Sequence, residues 1–345
     1  MNTANGLIIL MLNQGYWFGG ETGSIALSWA TADRAIDVVV TWDLSLGPTS
    51  VAGGRAVLPA DSDTTRISIM LPEVRTRTQC RWRYRLSAGD SANQPFAFGE
   101  HMIHLFPRGL LNESAKLLGN KRVVLWEEQG TLGAVLKEAG IPVGIVASDA
   151  ALQFIRADMI LVGQEQLKSH PFAQEPLMAQ ARQGSSVMFF QQSHVPELAG
   201  YAMNRRAVPD ELKWHADHPL LRGFTPADVD SWLRGGSGHL WPLRLPADEP
   251  VLVIAQWPRE TPGQEPEPIE TLLATKSVGA GRVVFCQLPL GSWESDPRSQ
   301  LMLVNALDYL VGPVAPTPPP SQRHIPLPPT PQTAPSITVP PGARP

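Results

Sequence analysis

The sequence predicts an antiparallel β-sandwich followed by an α/β domain with a parallel sheet and a proline-rich tail. In the first 108 residues, short alternating or β-branched runs are separated by turn residues, and no long helical pattern occurs. From residue 121, short apolar runs alternate with helical runs, which is typical of parallel strands covered by helices. After Gly312 the composition is dominated by Pro, Thr and Ser.

The first part contains about seven short strands, a number and spacing that favour an immunoglobulin-like sandwich over residues 1–108. Glycine-rich and aspartate-rich turns separate runs such as GSIALSW, IDVVVTWDL, TRISIML and FAFGEHMIHLF. The run CRWRYRL alternates most clearly. Because successive side chains of a strand point to opposite faces, it predicts one face of Cys80, Trp82, Tyr84 and Leu86 and an opposite face of arginines.

The second part predicts an α/β domain over residues 121–311, after a linker at 109–120. KRVVLW, IPVGIVA, ADMILVG and SSVMFF are apolar strands, and GTLGAVLKEAG and EPLMAQARQG are helices that end at glycine. Continuous apolar strands such as Val123–Trp126 fit a sheet that is buried on both faces. TKSVGAGRVVF predicts a hairpin with its turn at Gly279–Gly281, and DPRSQLMLVNALDYLV a last helix.

Composition argues against several classes of function. The net charge is −4 and the basic residues are scattered, so we expect no nucleic-acid partner. The apolar run Leu7–Leu12 is too short to span a bilayer and lacks the features of a signal peptide, so we interpret it as a strand and expect no membrane partner. The two cysteines, Cys80 and Cys286, fall in different predicted domains, which favours buried thiols over a disulfide or zinc site.

The order of these parts resembles a known arrangement. HMIHLFPR leads into KRVVLWEEQGTLGAVLKEAG, and RADMILVG, ARQGSSVMFF, HPLLRGFTPADVDSW and GAGRVVFCQLPLGSWESDPRSQLMLVNALDYL follow. Over about residues 5 to 311 the chain resembles the C-terminal part of bacterial glycoside hydrolases of the family 2 type. There a sandwich precedes a flavodoxin-like domain of the class I glutamine-amidotransferase-like kind, which is also similar to the trimerisation domain of family 42 β-galactosidases.

The sequence departs from these relatives at both catalytic centres. It contains no 250-residue stretch for the (β/α)₈ barrel that carries glycosidase activity. The amidotransferase nucleophile would be a cysteine on a tight turn after a strand, but QQSHVPELAG follows SSVMFF. Ser193, beside His194, is the nearest candidate, and no G-x-S-x-G elbow surrounds it.

Two further groups of residues are candidates for a crevice. Glu127 and Glu128 follow the first α/β strand, at the carboxyl edge where such sheets bind ligands. As neighbours they would point apart, so we interpret them as a solvated loop.

His215 and His218 have the spacing of a metal pair, but zinc needs three or four ligands and Pro219 disfavours a helix at His218. We therefore interpret the stretch from Trp214 to Trp232 as scaffold and keep His218 and Trp232 as crevice candidates. Tryptophans in and beside the irregular loops could stack on sugars, although packing accounts for most of them.

From the resemblance and these absences we expect a non-catalytic accessory module associated with glycoside hydrolases, serving carbohydrate contact or subunit assembly. A hydrolase of the amidotransferase-like superfamily with an atypical site, and a fragment of a larger glycosidase, are the alternatives. Carbohydrate, a glycoside hydrolase catalytic domain and a second copy of the chain are the candidate partners. We expect no cofactor and no metal. The compartment stays open: cytoplasmic by default, or secreted if the chain belongs to an exported parent.

We expect the tail at 312–345 to be extended, disordered and dispensable, because its composition offers no apolar periodicity that could pack on a domain. A chain truncated after Gly312 should melt within about 1 °C of the full chain in a thermal scan, since it loses almost no folding free energy. A fall of several degrees would show that the tail packs.

Overall fold

The computed structural model describes most of the chain. The described residues are 8–11, 15–29, 37–62, 64–89, 95–128, 130–193, 195–210, 212–235, 238–246, 249, 251–257 and 268–314, with the backbone alone at 8–11, 28 and 29. The predicted tail beyond residue 314 and the polar stretch 258–267 lie outside them.

The first part of the chain folds into two sheets that enclose one core. Strands β1, β3 and β6 form an antiparallel sheet, and the second sheet has the order β2-β8-β7-β4-β5. This is the β-sandwich that the alternating runs predict. Its strands are β1 (Ile8–Met11), β2 (Tyr16–Phe18), β3 (Thr22–Trp29), β4 (Val38–Leu46), β5 (Thr49–Leu58), β6 (Thr64–Met70), β7 (Thr78–Ala88) and β8 (Pro95–Phe106).

The alternation of side chains along β7 shows which face of the larger sheet is buried. Cys80 and Trp82 are 0% exposed and Leu86 is 2% exposed, whereas the arginines between them are exposed. The period of two therefore places an apolar face against the other sheet and a charged face in solvent, as the sequence predicts. Burial of this face against the other sheet contributes hydrophobic stabilisation to the sandwich.

The second part contains a sheet of eleven strands with helices against it. The helices are α1 (Asn112–Leu118), α2 (Thr131–Glu138), α3 (Gln166–Ser169), α4 (Gln174–Arg182), α5 (Pro226–Gly235) and α6 (Pro297–Val311). The strands are β9 (Val123–Trp126), β10 (Val143–Val146), β11 (Met159–Val162), β12 (Ser186–Phe189), β13 (Glu197–Leu198), β14 (Tyr201–Met203), β15 (Arg206–Ala207), β16 (Lys213–Trp214), β17 (His239–Leu240), β18 (Leu243–Leu245), β19 (Leu252–Gln256), β20 (Ile269–Val278) and β21 (Gly281–Cys286), of which β15 and β17 pair apart from the main sheet.

The centre of this sheet is parallel. Strands β10, β9, β11, β12 and β21 lie side by side in that order and run the same way. Every residue of β9, β11 and β12 is buried, because side chains on both faces pack under other elements. Strand β20 then pairs with β21 as the predicted antiparallel hairpin, with its turn at Gly279 and Ala280. Helices α2, α5 and α6 contribute to the core on one face, and α4 to the core on the other.

The stretch predicted as a linker contains a helix. Helix α1 lies inside residues 109–120 and contacts α6. Leu111 and Leu118 are each 2% exposed. Leu118 ends the helix and Leu111 directly precedes it, and the burial of both makes this connection part of the packed structure.

Arg77 and Asp228 join the sandwich to the α/β part. Arg77 lies between β6 and β7, and its guanidinium donates to both carboxylate oxygens of Asp228, at 2.7 and 2.6 Å. Asp228 lies in α5 and its side chain is fully buried. The Asp228 carboxylate also accepts from the backbone and hydroxyl of Thr225. A bidentate guanidinium and two further donors therefore satisfy a carboxylate that burial alone would destabilise.

A second cation completes the interface. Arg298 of α6 lies between two aromatic rings, 4.1 Å from the ring centre of Tyr16 and 5.0 Å from that of Trp232. Its guanidinium also pairs with Asp296 at 2.8 Å. Tyr16 belongs to the sandwich and Trp232 to α5, so the arginine bridges the two parts. Asp228 and Trp232, near the end of the stretch from Trp214 to Trp232, therefore have structural roles.

Replacement of Arg77 by alanine should leave the buried Asp228 carboxylate without its cation. We expect the free energy of unfolding to fall by about 3 kcal/mol, because a buried charge keeps its desolvation cost when its partner is lost. Urea unfolding followed by tryptophan fluorescence measures the change. Lys116→Ala is the matched control, because its pair with Glu113 is exposed and should contribute less than about 0.5 kcal/mol.

The same pair should make stability depend on acid. Burial alone would raise the pKa of Asp228, but hydrogen bonds from Arg77 and Thr225 outweigh it and hold the pKa below its usual range. The stabilisation that ionised Asp228 gives the fold is therefore present above the unfolded pKa of about 4. It is lost as the pH falls through the lower folded pKa. Asp228→Asn should reduce the fall in the free energy of unfolding at low pH, measured by urea unfolding at a series of pH values. An unchanged fall would show that other carboxyl groups cause it.

Candidate functional site

The carboxyl edge of the parallel strands gathers most of the predicted candidates. Glu127 and Glu128 follow β9, Glu165 follows β11, and Ser193 follows β12. Strand β9 lies between β10 and β11, so the chain order reverses there. Such a reversal opens a crevice outside the carboxyl ends of the strands, which makes this edge the first place to look for a site.

Glu127 has a structural role. Its carboxylate accepts from the backbone N–H groups of Leu132 and Gly133, at 3.2 and 3.1 Å, and from the hydroxyl of Thr131. These groups form the first turn of α2, where unpaired N–H groups favour an anion. Glu127 is only 9% exposed, so the solvated-loop interpretation is wrong for it. Gly163 packs against it, since a Cβ there would lie 2.9 Å from the Glu127 Cγ.

Glu128 is exposed and belongs to a cluster that the sequence did not predict. Its carboxylate lies 2.5 Å from Nε2 of His170, whose Nδ1 lies 3.2 Å from the carboxylate of Asp149. The hydrogen bond to Glu128, followed by that to Asp149, raises the pKa of His170 above its ordinary value. The three residues come from segments after β9, β10 and α3, so spacing along the chain carries no signal for them.

Ser193 contacts a carboxylate. Its hydroxyl donates to Glu165 at 2.7 Å, and Ser193 is 8% exposed. Glu165 has a φ of 61°, a left-handed conformation that side chains other than glycine rarely adopt. It stands between β11 and α3, at a turn from strand to helix. His194 lies outside the described residues.

The segment after β12 is pinned by Gln192. The Gln192 amide donates to the carbonyls of Gly163 and Phe190, and its oxygen accepts from the backbone of Leu167. Gln192 is fully buried, and its backbone N–H donates to the side chain of Gln287. No helix starts between β12 and β13 in the described part of that stretch. The described part of this segment therefore contains no strand-to-helix turn of the kind that carries an amidotransferase nucleophile.

His218 and Trp232 are held by hydrogen bonds within the chain and have structural roles. Nδ1 of His218 accepts from the backbone N–H of Leu220 at 3.2 Å, and burial, with a smaller effect of His215, lowers the His218 pKa to about 4. Trp232 is 3% exposed and its indole donates to Asp296. In the described ranges, no hydrogen bond joins either residue to the cluster at the carboxyl edge.

Sulfur, metal and aromatic chemistry were the other possibilities raised by the sequence. Burial raises the pKa of Cys286 to about 12, so the thiol stays protonated at neutral pH. Within the part of the chain that the structure describes, no group of three or more His, Cys, Asp or Glu side chains is placed to hold a metal ion. Trp257 and Trp293 are buried, so neither presents a ring to a sugar.

The edge therefore holds two hydrogen-bonded acid clusters. One is half-buried, Glu165 with the buried Ser193, and one is more exposed, His170 between Glu128 and Asp149. The first could in principle orient a hydroxyl nucleophile, because a carboxylate accepting from a serine is one part of a relay. The second could exchange a proton near neutral pH, since histidine titrates there.

Comparison with known proteins identifies no family. The chain matches no protein-family model, and no curated protein matches it in sequence. In the described part of the chain, no helix is long and apolar enough to cross a membrane.

Solved structures resemble the chain only locally. β-Glucuronidase 2 of Bacteroides uniformis aligns with 54% of this chain and 33% of its own, at 10% identity and a TM-score of 0.22. A family 76 glycoside hydrolase from a bovine Bacteroides thetaiotaomicron strain aligns with 38% of this chain and 24% of its own, at 8% identity and a TM-score of 0.22. The calcium binding domain CBD12 of CALX1.1 aligns with 29% and 45%, at 15% identity and 0.21. The neighbours thus include glycoside hydrolases, of which the chain spans a third or less, but likeness at this level does not bear on activity.

The pKa of His170 tests the exposed cluster. We expect the value measured by NMR titration to lie above about 6.5 and to fall in Glu128→Gln, because the amide removes the anion that stabilises the imidazolium. Glu113→Gln, an exposed carboxylate on α1, is the control and should leave the titration unchanged. Equal His170 values in both variants would mean that Glu128 does not contact the imidazole in solution.

Proposed function

We propose that the chain is a non-catalytic accessory module associated with glycoside hydrolases, which serves carbohydrate contact or subunit assembly. In this proposal residues 1–108 are an immunoglobulin-like sandwich, 109–120 a connection, 121–311 a flavodoxin-like domain of the amidotransferase-like kind and 312–345 a tail. Carbohydrate, a hydrolase catalytic domain and a second copy of the chain are the proposed partners. The supporting observation is that the groups at the carboxyl edge are bonded within the chain.

The state of the nucleophile position supports this proposal. A nucleophile needs an exposed turn and a base, whereas the segment after β12 is held by a buried glutamine with three bonded groups. The remaining thiol of the α/β part, Cys286, is fully buried within β21. Neither position offers a thiolate to an amide substrate.

The carboxylates argue in the same direction. Glycoside cleavage needs two carboxyl groups about 5 to 9 Å apart that face one bond. Glu127 is bound to the first turn of α2 and points into the protein, while Glu128 is paired with His170 at the surface. Side chains with such separate partners do not form an acid and a nucleophile for one sugar.

One observation favours the alternative of a hydrolase with an atypical site. Glu165 has a left-handed backbone at a strand-to-helix turn, and strained residues of this kind concentrate at functional sites. Its carboxylate accepts from Ser193, which gives a hydroxyl and a base in contact. Esterase activity lost in both Ser193→Ala and Glu165→Gln would establish this alternative.

The non-catalytic proposal predicts no turnover. We expect the purified full chain to release neither aryl leaving groups from a panel of aryl-glycosides nor ammonia from glutamine, because the described residues supply no acid pair and no thiolate. Rates for wild type, Ser193→Ala and Cys286→Ala should equal the buffer blank. Turnover abolished by either substitution would overturn the proposal, and equal turnover in all three chains would place the activity elsewhere.

A further inference from the structure

We infer that the solvent face of the sandwich sheet binds an acidic polysaccharide built from uronic acid residues. This inference rests on the proposed function and names the class of carbohydrate and its site. The site is a groove of about 700 Å³ on strands β4, β7 and β8, whose lining includes Asp43, Arg83, Arg85, Phe98 and Glu100. We call it the sheet-face groove.

Strand register places these side chains in two rows across the sheet. The first row runs from Thr41 on β4 to Arg85 on β7 and Phe98 on β8. The second runs from Asp43 to Arg83 and Glu100. All six alternate with core residues and therefore face solvent. Directly paired residues have Cβ atoms about 5 Å apart, so Arg85 and Phe98 can contact the same sugar ring.

The first row presents an aromatic surface beside a cation. Phe98 is 84% exposed, although burying a phenylalanine side chain is worth roughly 2 kcal/mol. Across from it, Arg85 is exposed and has no ion-pair partner among the residues that the structure describes. An apolar sugar face can cover the ring while a carboxylate on the same sugar pairs with the guanidinium in bidentate geometry.

The second row supplies polar groups that are already positioned. Arg83 donates to Asp43 at 2.9 Å, and Arg81 on the same face pairs with Glu100 at 3.1 Å. These pairs hold the long side chains in place and leave carboxylate oxygens that can accept from sugar hydroxyls. Preorganised groups of this kind reduce the entropy that a ligand must offset.

Charge selects an acidic ligand. Four arginines and two carboxylates project from this face, a local excess of two positive charges on a chain whose net charge is −4. The members are Arg55, Arg81, Arg83, Arg85, Asp43 and Glu100. The carboxylates of Asp43 and Glu100 can accept hydrogen bonds from hydroxyl groups, which a glycan offers on every ring and the backbone of DNA does not. The combination of ring, cation and acceptors therefore fits a uronic acid polymer.

Isothermal titration of the full chain with an oligogalacturonate of about eight residues tests the inference. We expect binding that weakens about tenfold in Arg85→Ala and in Phe98→Ala and weakens further as salt is added. Arg66→Ala, exposed on the other sheet, and Phe172→Ala, exposed on the α/β part, are the matched controls and should stay within about twofold. Circular dichroism and thermal melts establish that each variant folds.

Three outcomes would overturn the inference. The first is that oligogalacturonate does not bind, or that uncharged maltooctaose binds equally strongly. The second is that single-stranded DNA or anionic vesicles bind more tightly than oligogalacturonate. The third is that Phe98→Ala dissociates an oligomer in size-exclusion chromatography, which would make the groove a subunit interface. Binding of maltooctaose alone would leave the accessory role standing, whereas turnover of aryl-glycosides would overturn that role whichever glycan binds.

Discussion

The contact between Arg77 and Asp228 determines how the two halves of this chain are combined. A fully buried carboxylate is tolerated because a two-pronged guanidinium and the donors of Thr225 satisfy it, and because Arg77 also lies over the ring of Phe106. Asp228 of this pair lies in the first turn of α5, the helix that carries Trp232, whose ring Arg298 of α6 contacts. Arg298, between the rings of Tyr16 and Trp232, adds a second directional contact between the sandwich and the α/β part. Apolar burial brings such surfaces together, but charge-assisted hydrogen bonds decide their angle.

The α/β part shows the same use of polar groups for structure. At the edge where such topologies place ligands, several side chains are bonded within the chain: Glu127 binds the first turn of α2, and Gln192 bonds to Gly163 and Leu167. A polar group that is satisfied internally contributes to folding and is not available to a substrate. This internal bonding is the ground on which we propose an accessory role, since groups that act on a substrate must be free to contact it.

Sequence patterns predicted the parts of the fold that depend on local periodicity. The alternation in CRWRYRL placed the buried and charged faces of β7 correctly, and the continuous apolar runs gave the parallel strands. Local patterns could not predict contacts between residues that are far apart in the sequence. Arg77 and Asp228 are 151 positions apart, and His170 contacts carboxylates from two other loops. Glu127 was misjudged because a carboxylate after a strand resembles a loop residue unless the N–H groups of the following helix are considered. Helix α1 was missed within the predicted linker because its seven residues make only about two turns, which leave little periodicity to detect.

Strand β8 connects the groove to the interface in one unbroken element. It carries Phe98 near its beginning, and its last residue, Phe106, packs with the rings at the junction of the two parts. Eight residues of extended chain span about 26 Å. The strand therefore sets both the distance and the orientation of the sheet-face groove relative to the α/β part. A glycan bound in the groove would therefore have a fixed orientation relative to the α/β part, because the two ends of β8 belong to one continuous strand.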